Sequence, residues 1–287
     1  MTMNVDRFRV RHGDRRALAR HAPNETTHFQ TKDAALAHLQ KRIARLEELQ
    51  QLLYEEDRYA LLLILQGMDG AGKDHVIKHV MSGMNPQGVE VHAFKQPSAE
   101  ELKHDFLWRA LKVLPARGRI GIFNRSYYEE TLVVRVHPSL LEAEKARTGP
   151  RIWEHRFEDI NAVERHLWRS GTIIRKFYLH VSRKEQARRL LARLDDPSKN
   201  WKFSPADLKE RRNWPAYRAA YRDAIAATSH AHAPWYVVPA DHKWFAQMLV
   251  AEVVVQALEA LHLSFPRLTA AQRKHLADAR RLLRAAL

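Results

Sequence analysis

Residues 61–80, LLLILQGMDGAGKDHVIKHV, constrain the fold more than any other stretch of this 287-residue chain. A wholly apolar run closes in a glycine-rich turn, and a lysine opens the next segment. A short unbroken apolar run of this kind reads as a strand buried on both faces, as in a parallel sheet covered by helices. Gly67-Met68-Asp69-Gly70-Ala71-Gly72-Lys73 then fits the pattern G-x-x-x-x-G-K. In that pattern backbone N–H groups curl around phosphate oxygens at a helix N-terminus, and the lysine reaches the reacting phosphates. The pattern normally continues with a Ser or Thr whose hydroxyl holds magnesium. Here residue 74 is Asp, so the loop lacks that hydroxyl and carries two carboxylates, Asp69 and Asp74.

Strand and helix alternate after this point. YALLLILQ (59–66), VEVHAF (89–94), RIGIFNRS (119–126), IIRKFYLHVS (173–182) and WYVVPA (235–240) are the expected strands. Helices are expected over 31–57, 73–84, 99–114, 152–170, 183–194, 205–228 and 241–262. The alternation predicts an α/β protein with a mainly parallel sheet between helices. Leu36, Leu39, Ile43, Leu46, Leu49 and Leu53 recur at three and four, a stripe suited to the core or to a subunit contact. The first 30 residues read as an arm that orders against a neighbour. Residues 31–265 read as the main domain, and 266–287 as one more basic helix.

Two further stretches carry charge toward the loop. In RIGIFNRSYYEE (119–130) an apolar strand ends in Asn124 and Arg125. Phosphate-loop enzymes deliver a polar residue, usually Asp, toward magnesium at such a strand end. Arg125 would place a guanidinium where charge on transferring oxygens needs neutralising. In SRKEQARRLLARLDDPSKNWKF (182–203), Arg189 and Arg193 fall four apart, opposite Ala187, Leu190, Leu191 and Leu194. Lys199 and Lys202 follow in a loop. This cationic cluster suits a lid, over about 183–215, that closes on phosphates and excludes water.

The 48 Lys and Arg against 33 acidic residues, a formal net charge of +15, favour a polyanionic partner. No apolar run approaches a membrane span, and the basic N-terminus lacks the apolar core of a secretory signal. No membrane partner is expected. The absence of cysteine excludes disulfides, a thiolate metal site and a cysteine nucleophile, and it fits a cytoplasmic protein. Aromatic residues are not interleaved with the basic clusters as a nucleic-acid stacking surface requires, so no nucleic-acid partner is expected.

LLLILQGMDGAGKD, HDFLWRALKVLPARGRIGIFNRSYYEETLVVRVHP and DDPSKNWKFSPADLKERRNWPAYRAAYRDAIAATSHAHAPWYVVPADHKWFA resemble the family-2 polyphosphate kinases, over about Arg7 to Leu263. The last motif is far more specific than the loop. The resemblance implies a three-layer phosphate-loop kinase fold with a helical lid. It also implies phosphoryl transfer between inorganic polyphosphate and adenine or other purine nucleotides, and a homo-dimer or homo-tetramer. Magnesium, or manganese in its place, is the implied cofactor. Asp69, inside the family loop G-x-D-x-x-G-K, would replace the missing hydroxyl as a metal or phosphate-orienting carboxylate. Asp74 suits the helix dipole. Part of the family carries Asp at the place of Asn124, and an amide is a poor magnesium ligand, so Glu129 or Glu130 is expected to supply the carboxylate. The Asn form resembles the subgroup accepting both nucleoside mono- and diphosphates. An ATP-dependent nucleoside monophosphate or polynucleotide kinase and a non-catalytic basic nucleic-acid-binding protein are the competing readings.

Overall fold

The computed structural model describes residues 3–286 except 28, 30 and 203, and the side chains of residues 202, 206 and 207 also lie outside that description. Its helices are α1 (Ala17–Arg20), α2 (Lys32–Glu56), α3 (Lys73–Val80), α4 (Trp108–Leu111), α5 (Glu129–Val136), α6 (Ser139–Glu144), α7 (Ile152–Arg169), α8 (Arg183–Leu194), α9 (Pro205–Arg212), α10 (Trp214–Thr228), α11 (Lys243–Glu259) and α12 (Ala270–Ala285). The strands are β1 (Ala60–Gln66), β2 (Val89–Ala93), β3 (Ile120–Asn124), β4 (Thr172–His180) and β5 (Trp235–Pro239), all parallel, in the order β2-β3-β1-β4-β5.

β1 lies at the centre and is buried at all seven positions, which explains its unbroken apolar sequence. α2, α3 and α11 form one helical layer, and α5, α7 and α10 form the other. The three-layer α/β architecture agrees with the expected fold. Leu39, Leu46, Leu49 and Leu53 of α2 are buried, and α2 packs on α11. The leucine stripe is therefore core, and no subunit contact is left for it.

The arm is likewise built into its own chain. Met3, Val5, Phe8 and Val10 are buried, and Val10 N–H donates to Trp235 O at 2.8 Å beside an antiparallel bridge between Arg9 and Tyr236. The expectation that it orders against a neighbour fails, because its apolar residues cover the edge strand β5.

Two expected helices break for local reasons. Over 99–114, Ser98 and Glu101 cap one another, and Leu107 N–H donates to Asp105 Oδ1 at 2.9 Å. These side-chain bonds split the stretch into a 3₁₀ turn, Glu101–Lys103, and α4. Over 205–228 the break falls at Asn213, because Pro215 fits only the first turn of a new helix.

Candidate functional site

β1 runs into the glycine loop, and α3 begins at Lys73. A Cβ on Gly67 would come within 3.0 Å of Leu179 O on β4, so only glycine lets the loop leave the sheet here. Gly72 has φ +101, a left-handed conformation that turns the chain into α3. Gly70 and Ala71 carry the intervening backbone. Lys73 folds over this loop: its Nζ donates to Gly67 O at 2.7 Å, and the side chain is buried. Burial lowers the lysine pKa, and Arg125 pushes the same way, while Asp69, Glu129 and Asp74 oppose them.

β3 pairs with β1 so that Asn124 lies beside Leu65, and Arg125 N–H donates to Leu65 O. Arg125 has φ +63, rare for a residue with a side chain. The turn is held from below. Ser126 Oγ accepts from Gln66 and from Tyr128 N–H, and the Tyr127 and Tyr128 hydroxyls both donate to Glu164 Oε1 at 2.9 Å. Glu164 is fully buried in an ion pair with Lys176. The guanidinium of Arg125 is thereby aimed between two carboxylates, with Nη2 2.7 Å from Asp69 Oδ1 and Nη1 3.5 Å from Glu129 Oε2. Asn124 Nδ2 donates to Asp74 Oδ1 at 2.6 Å.

Asp69, Lys73, Asp74, Asn124, Arg125 and Glu129 thus converge at the C-terminal ends of β1 and β3, where open α/β sheets bind ligands. Burial raises the pKa of Glu129, against the pull of Arg125 and Lys73. Glu130 does not join them. Successive helical residues point about 100° apart, and Glu130 turns away to Arg109 at 3.2 Å and Arg156 at 3.6 Å. Burial, with the Glu144 carboxyl next, pushes its pKa up to about 8.

Arg189 also departs from the expected lid face. It is buried under the loop with all five N–H donors engaged. Nη1 donates to Gly70 O and Ala71 O, Nη2 to Ala240 O and Asp241 O, and Nε to Glu185. The inward face of α8 is Gln186, Arg189 and Leu190, whereas Leu191 and Leu194 are exposed. Arg189 therefore shapes the phosphate loop and has no donor left for phosphate. Arg193, one turn later, is half-buried, and Lys199 is exposed in an ion pair with Asp196. The side chain of Lys202 lies outside the described residues.

Several residues had no individual signal in the sequence. Gln186 Nε2 donates to Asp69 O at 2.8 Å, and Arg211 Nη1 of α9 donates to Gln186 Oε1 at 2.7 Å, linking lid to loop. Arg211, Tyr217 and Tyr221 line a cavity of about 140 Å³ with Asp69, Arg125 and Glu129. They lie in the last of the three motifs that carry the family resemblance, whose specificity was legible only as a block. A second cavity, about 200 Å³, opens on the β2 side among Pro97, Leu102, Phe106, Arg109, Glu130 and Arg156. Among the described residues no three His, Asp or Glu side chains form a metal cage. The oxygen donors of Asp69 and Glu129 fit a magnesium ion that takes one or two carboxylates and completes its shell with substrate phosphates and water. No described helix is long and apolar enough to cross a membrane.

Comparison with known proteins agrees with this geometry. A family model described as polyphosphate kinase 2 matches residues 29–266. An ADP-polyphosphate phosphotransferase from Rhodopseudomonas palustris is 48% identical over 287 residues, covering 99% of each chain. An AMP/ADP-polyphosphate phosphotransferase from Meiothermus ruber is 43% identical over 271 residues, 94% of this chain and 98% of that one. The crystal structure of polyphosphate kinase 2 from Arthrobacter aurescens TC1 superimposes with a TM-score of 0.86 at 43% identity, covering 94% of this chain and 95% of that one. A phosphate loop closed by lysine, an arginine held at the neighbouring strand end and a match along almost the whole length lead to one assignment: the chain belongs to the polyphosphate kinase 2 family.

Proposed function

We propose that this protein is a phosphotransferase that moves phosphoryl groups between inorganic polyphosphate and nucleoside mono- and diphosphates, AMP and ADP among them. The observation that carries the reading is the convergence of Lys73 and Arg125 with the carboxylates of Asp69 and Glu129 at one sheet edge. Cations there neutralise charge on the transferring oxygens, and two carboxylates are placed to hold magnesium. Asp69 and Glu129 would hold the magnesium, whose chemistry would be to neutralise charge on phosphate oxygens. Asp69 and Glu129 would then exchange their contact with Arg125 for the metal, freeing the guanidinium for phosphate.

The polyphosphate chain lies over the glycine loop and under the lid, with Arg193 and Arg211 as its lid-side cations. The acceptor nucleoside occupies the cavity on the β2 side, where Phe106, Leu102 and Pro97 offer apolar surface. Its terminal phosphate oxygen attacks the end phosphorus of polyphosphate in line, and the shortened chain leaves. No covalent enzyme intermediate is needed. Positioning and charge neutralisation provide the acceleration. The protein acts in the cytoplasm as a homo-oligomer.

Acceptor breadth rests on Asn124. A second carboxylate there would face Asp74 at 2.6 Å, whereas the amide pairs with it and spares the acceptor phosphate one repulsion. The name of the Meiothermus ruber relative includes both AMP and ADP, and that of the Rhodopseudomonas palustris relative includes ADP. The test is AMP incubated with long polyphosphate and magnesium, without any other kinase. ADP followed by ATP is expected. No ADP, or ADP that never proceeds to ATP, overturns dual use. ATP-driven phosphorylation that ignores polyphosphate would return the protein to the ordinary nucleotide kinases.

A further inference from the structure

β1 ends on a polar residue for which the phosphate loop has no use. Gln66 closes the apolar run ALLLILQ and is fully buried. Leu65 pairs with Asn124 of β3, so Gln66 follows directly beside the Arg125 turn. We propose that Gln66 is a positioning residue for phosphoryl transfer: its side-chain amide holds the Glu129 carboxylate in place when Arg125 turns from that carboxylate to phosphate. The inference rests on the phosphotransferase reading and deepens it.

A buried amide is costly unless it is hydrogen-bonded, and it brings two N–H donors and one carbonyl acceptor. Gln66 Nε2 donates to Ser126 Oγ at 3.2 Å, and the Gln66 side chain also hydrogen-bonds the Glu129 carboxylate. An ionised carboxylate only accepts, so the amide is the donor there too. Gln66 Oε1, by contrast, is buried with no hydrogen-bond partner among the described residues. Turning the amide over would give Oε1 to the Ser126 hydroxyl. It would also set a carbonyl oxygen against the ionised Glu129, two acceptors with no proton between them. The carboxylate therefore fixes which way the amide points. An unsatisfied buried carbonyl calls for an explanation, and here the explanation is the carboxylate that the amide N–H groups serve.

Glu129 needs that holder. It opens α5, where the helix dipole favours its charge but sets no direction for its side chain. Arg125 Nη1 stands 3.5 Å from Glu129 Oε2, at the outer limit of a hydrogen bond, while Nη2 is engaged by Asp69 at 2.7 Å. Once the guanidinium moves to phosphate, the Gln66 amide still donates to Glu129. The same amide grips Ser126, the residue after Arg125, so both sides of the site are registered to the end of β1.

The test replaces Gln66 with Met in the full chain, which keeps the side-chain length and removes both the donors and the bare carbonyl. Far-UV circular dichroism and thermal unfolding verify the fold, and Tm should stay close to that of wild type. The kcat of polyphosphate-driven ADP phosphorylation should fall about tenfold, with the polyphosphate KM little changed. Affinity for Mn2+ in the presence of ADP, read from the electron paramagnetic resonance signal of the free ion, should fall about as far. Tenfold is the low end for a residue that orients a metal ligand. In a Glu129→Gln background, Gln66→Met should bring no further loss of either, because the group it acts through is gone. Equal losses in both backgrounds, wild-type kcat and Mn2+ affinity in Gln66→Met, or a Gln66→Met chain that does not fold overturn the proposal. A wild-type chain that moves no phosphoryl group from polyphosphate overturns the phosphotransferase reading instead, and the Mn2+ titration then decides the role of the amide alone.

Discussion

Asn124 Nδ2 donates to Asp74 Oδ1 at 2.6 Å, joining the end of β3 to the first turn of α3 across the mouth of the phosphate loop. The amide is the partner this carboxylate requires, because two ionised carboxylates at that distance would force one to hold a proton. Asn124→Asp should therefore lower kcat about tenfold at neutral pH, the scale of roughly 1–2 kcal/mol found for coupled neighbours. The exchange Asp74→Asn with Asn124→Asp should recover most of that loss. Steady-state rates of the two single variants and the double variant check it; a double variant no better than the singles would show that the pair is not a unit.

Lys73 is buried, and burial with Arg125 weakens its charged form against the pull of Asp69, Glu129 and Asp74. Lys73→Ala should reduce turnover by at least about a hundredfold, the usual scale for one preorganised charged donor. Its hydrogen bond to Gly67 O is a single contact, so the variant should remain folded. Activity within threefold of wild type would remove the lysine from the reaction.

Arg189 and Arg193 share a helix and should separate experimentally. Arg189→Gln strips donors from four loop and strand-end carbonyls. It should destabilise the protein by about 2–4 kcal/mol, as expected for breaking a buried charged network. Arg193→Gln, on a half-buried side chain, should cost less stability than Arg189→Gln and raise the polyphosphate KM several-fold. Urea unfolding and substrate titration of both variants decide it. Equal effects on stability would contradict the assigned difference.

Glu130 gives a pH signature. Its pKa rises from the ordinary 4.5 to about 8 on folding, so the folded protein holds a proton that the unfolded chain releases. Stability from this group is full below about 4.5 and is lost as pH rises through about 8. Glu130→Gln should flatten the fall of Tm between pH 5 and about 8.5 relative to wild type. Parallel Tm profiles would show that Glu130 stays ionised between Arg109 and Arg156.

The strand segments and the layer class were legible because strands alternate with helical stretches, and β1 above all is a short apolar run closed by glycine. The loop was legible because its mechanism requires glycine and lysine at fixed spacing. The place of Arg189 was not, because the sequence shows only that it lies opposite leucines, and on α8 the leucines Leu191 and Leu194 are the ones left in water. A short polar-lined gap under the loop takes a guanidinium better than an aliphatic chain, and no periodicity encodes that. Glu129 and Glu130 were inseparable for a similar reason: which of two adjacent carboxylates faces the site depends on where α5 starts. Arg211 and Tyr217 come from helices broken at Asn213, and their approach to Asp69 is a product of tertiary packing.

The arm meets β5 in a single antiparallel bridge, and Ser229 Oγ donates to Val10 O across 219 residues of sequence. Its partner is among the last strands to leave the ribosome. The arm must therefore wait, without this contact, through synthesis of the residues that separate it from β5, and loop closure over such a span is slow. Until it docks, β5 presents an open edge to other nascent chains. The window between translation of β5 and arrival of the arm is the period in which this protein is most exposed to misassociation, and changes at Phe8 or Val10 should act there, on soluble yield, more than on the finished enzyme.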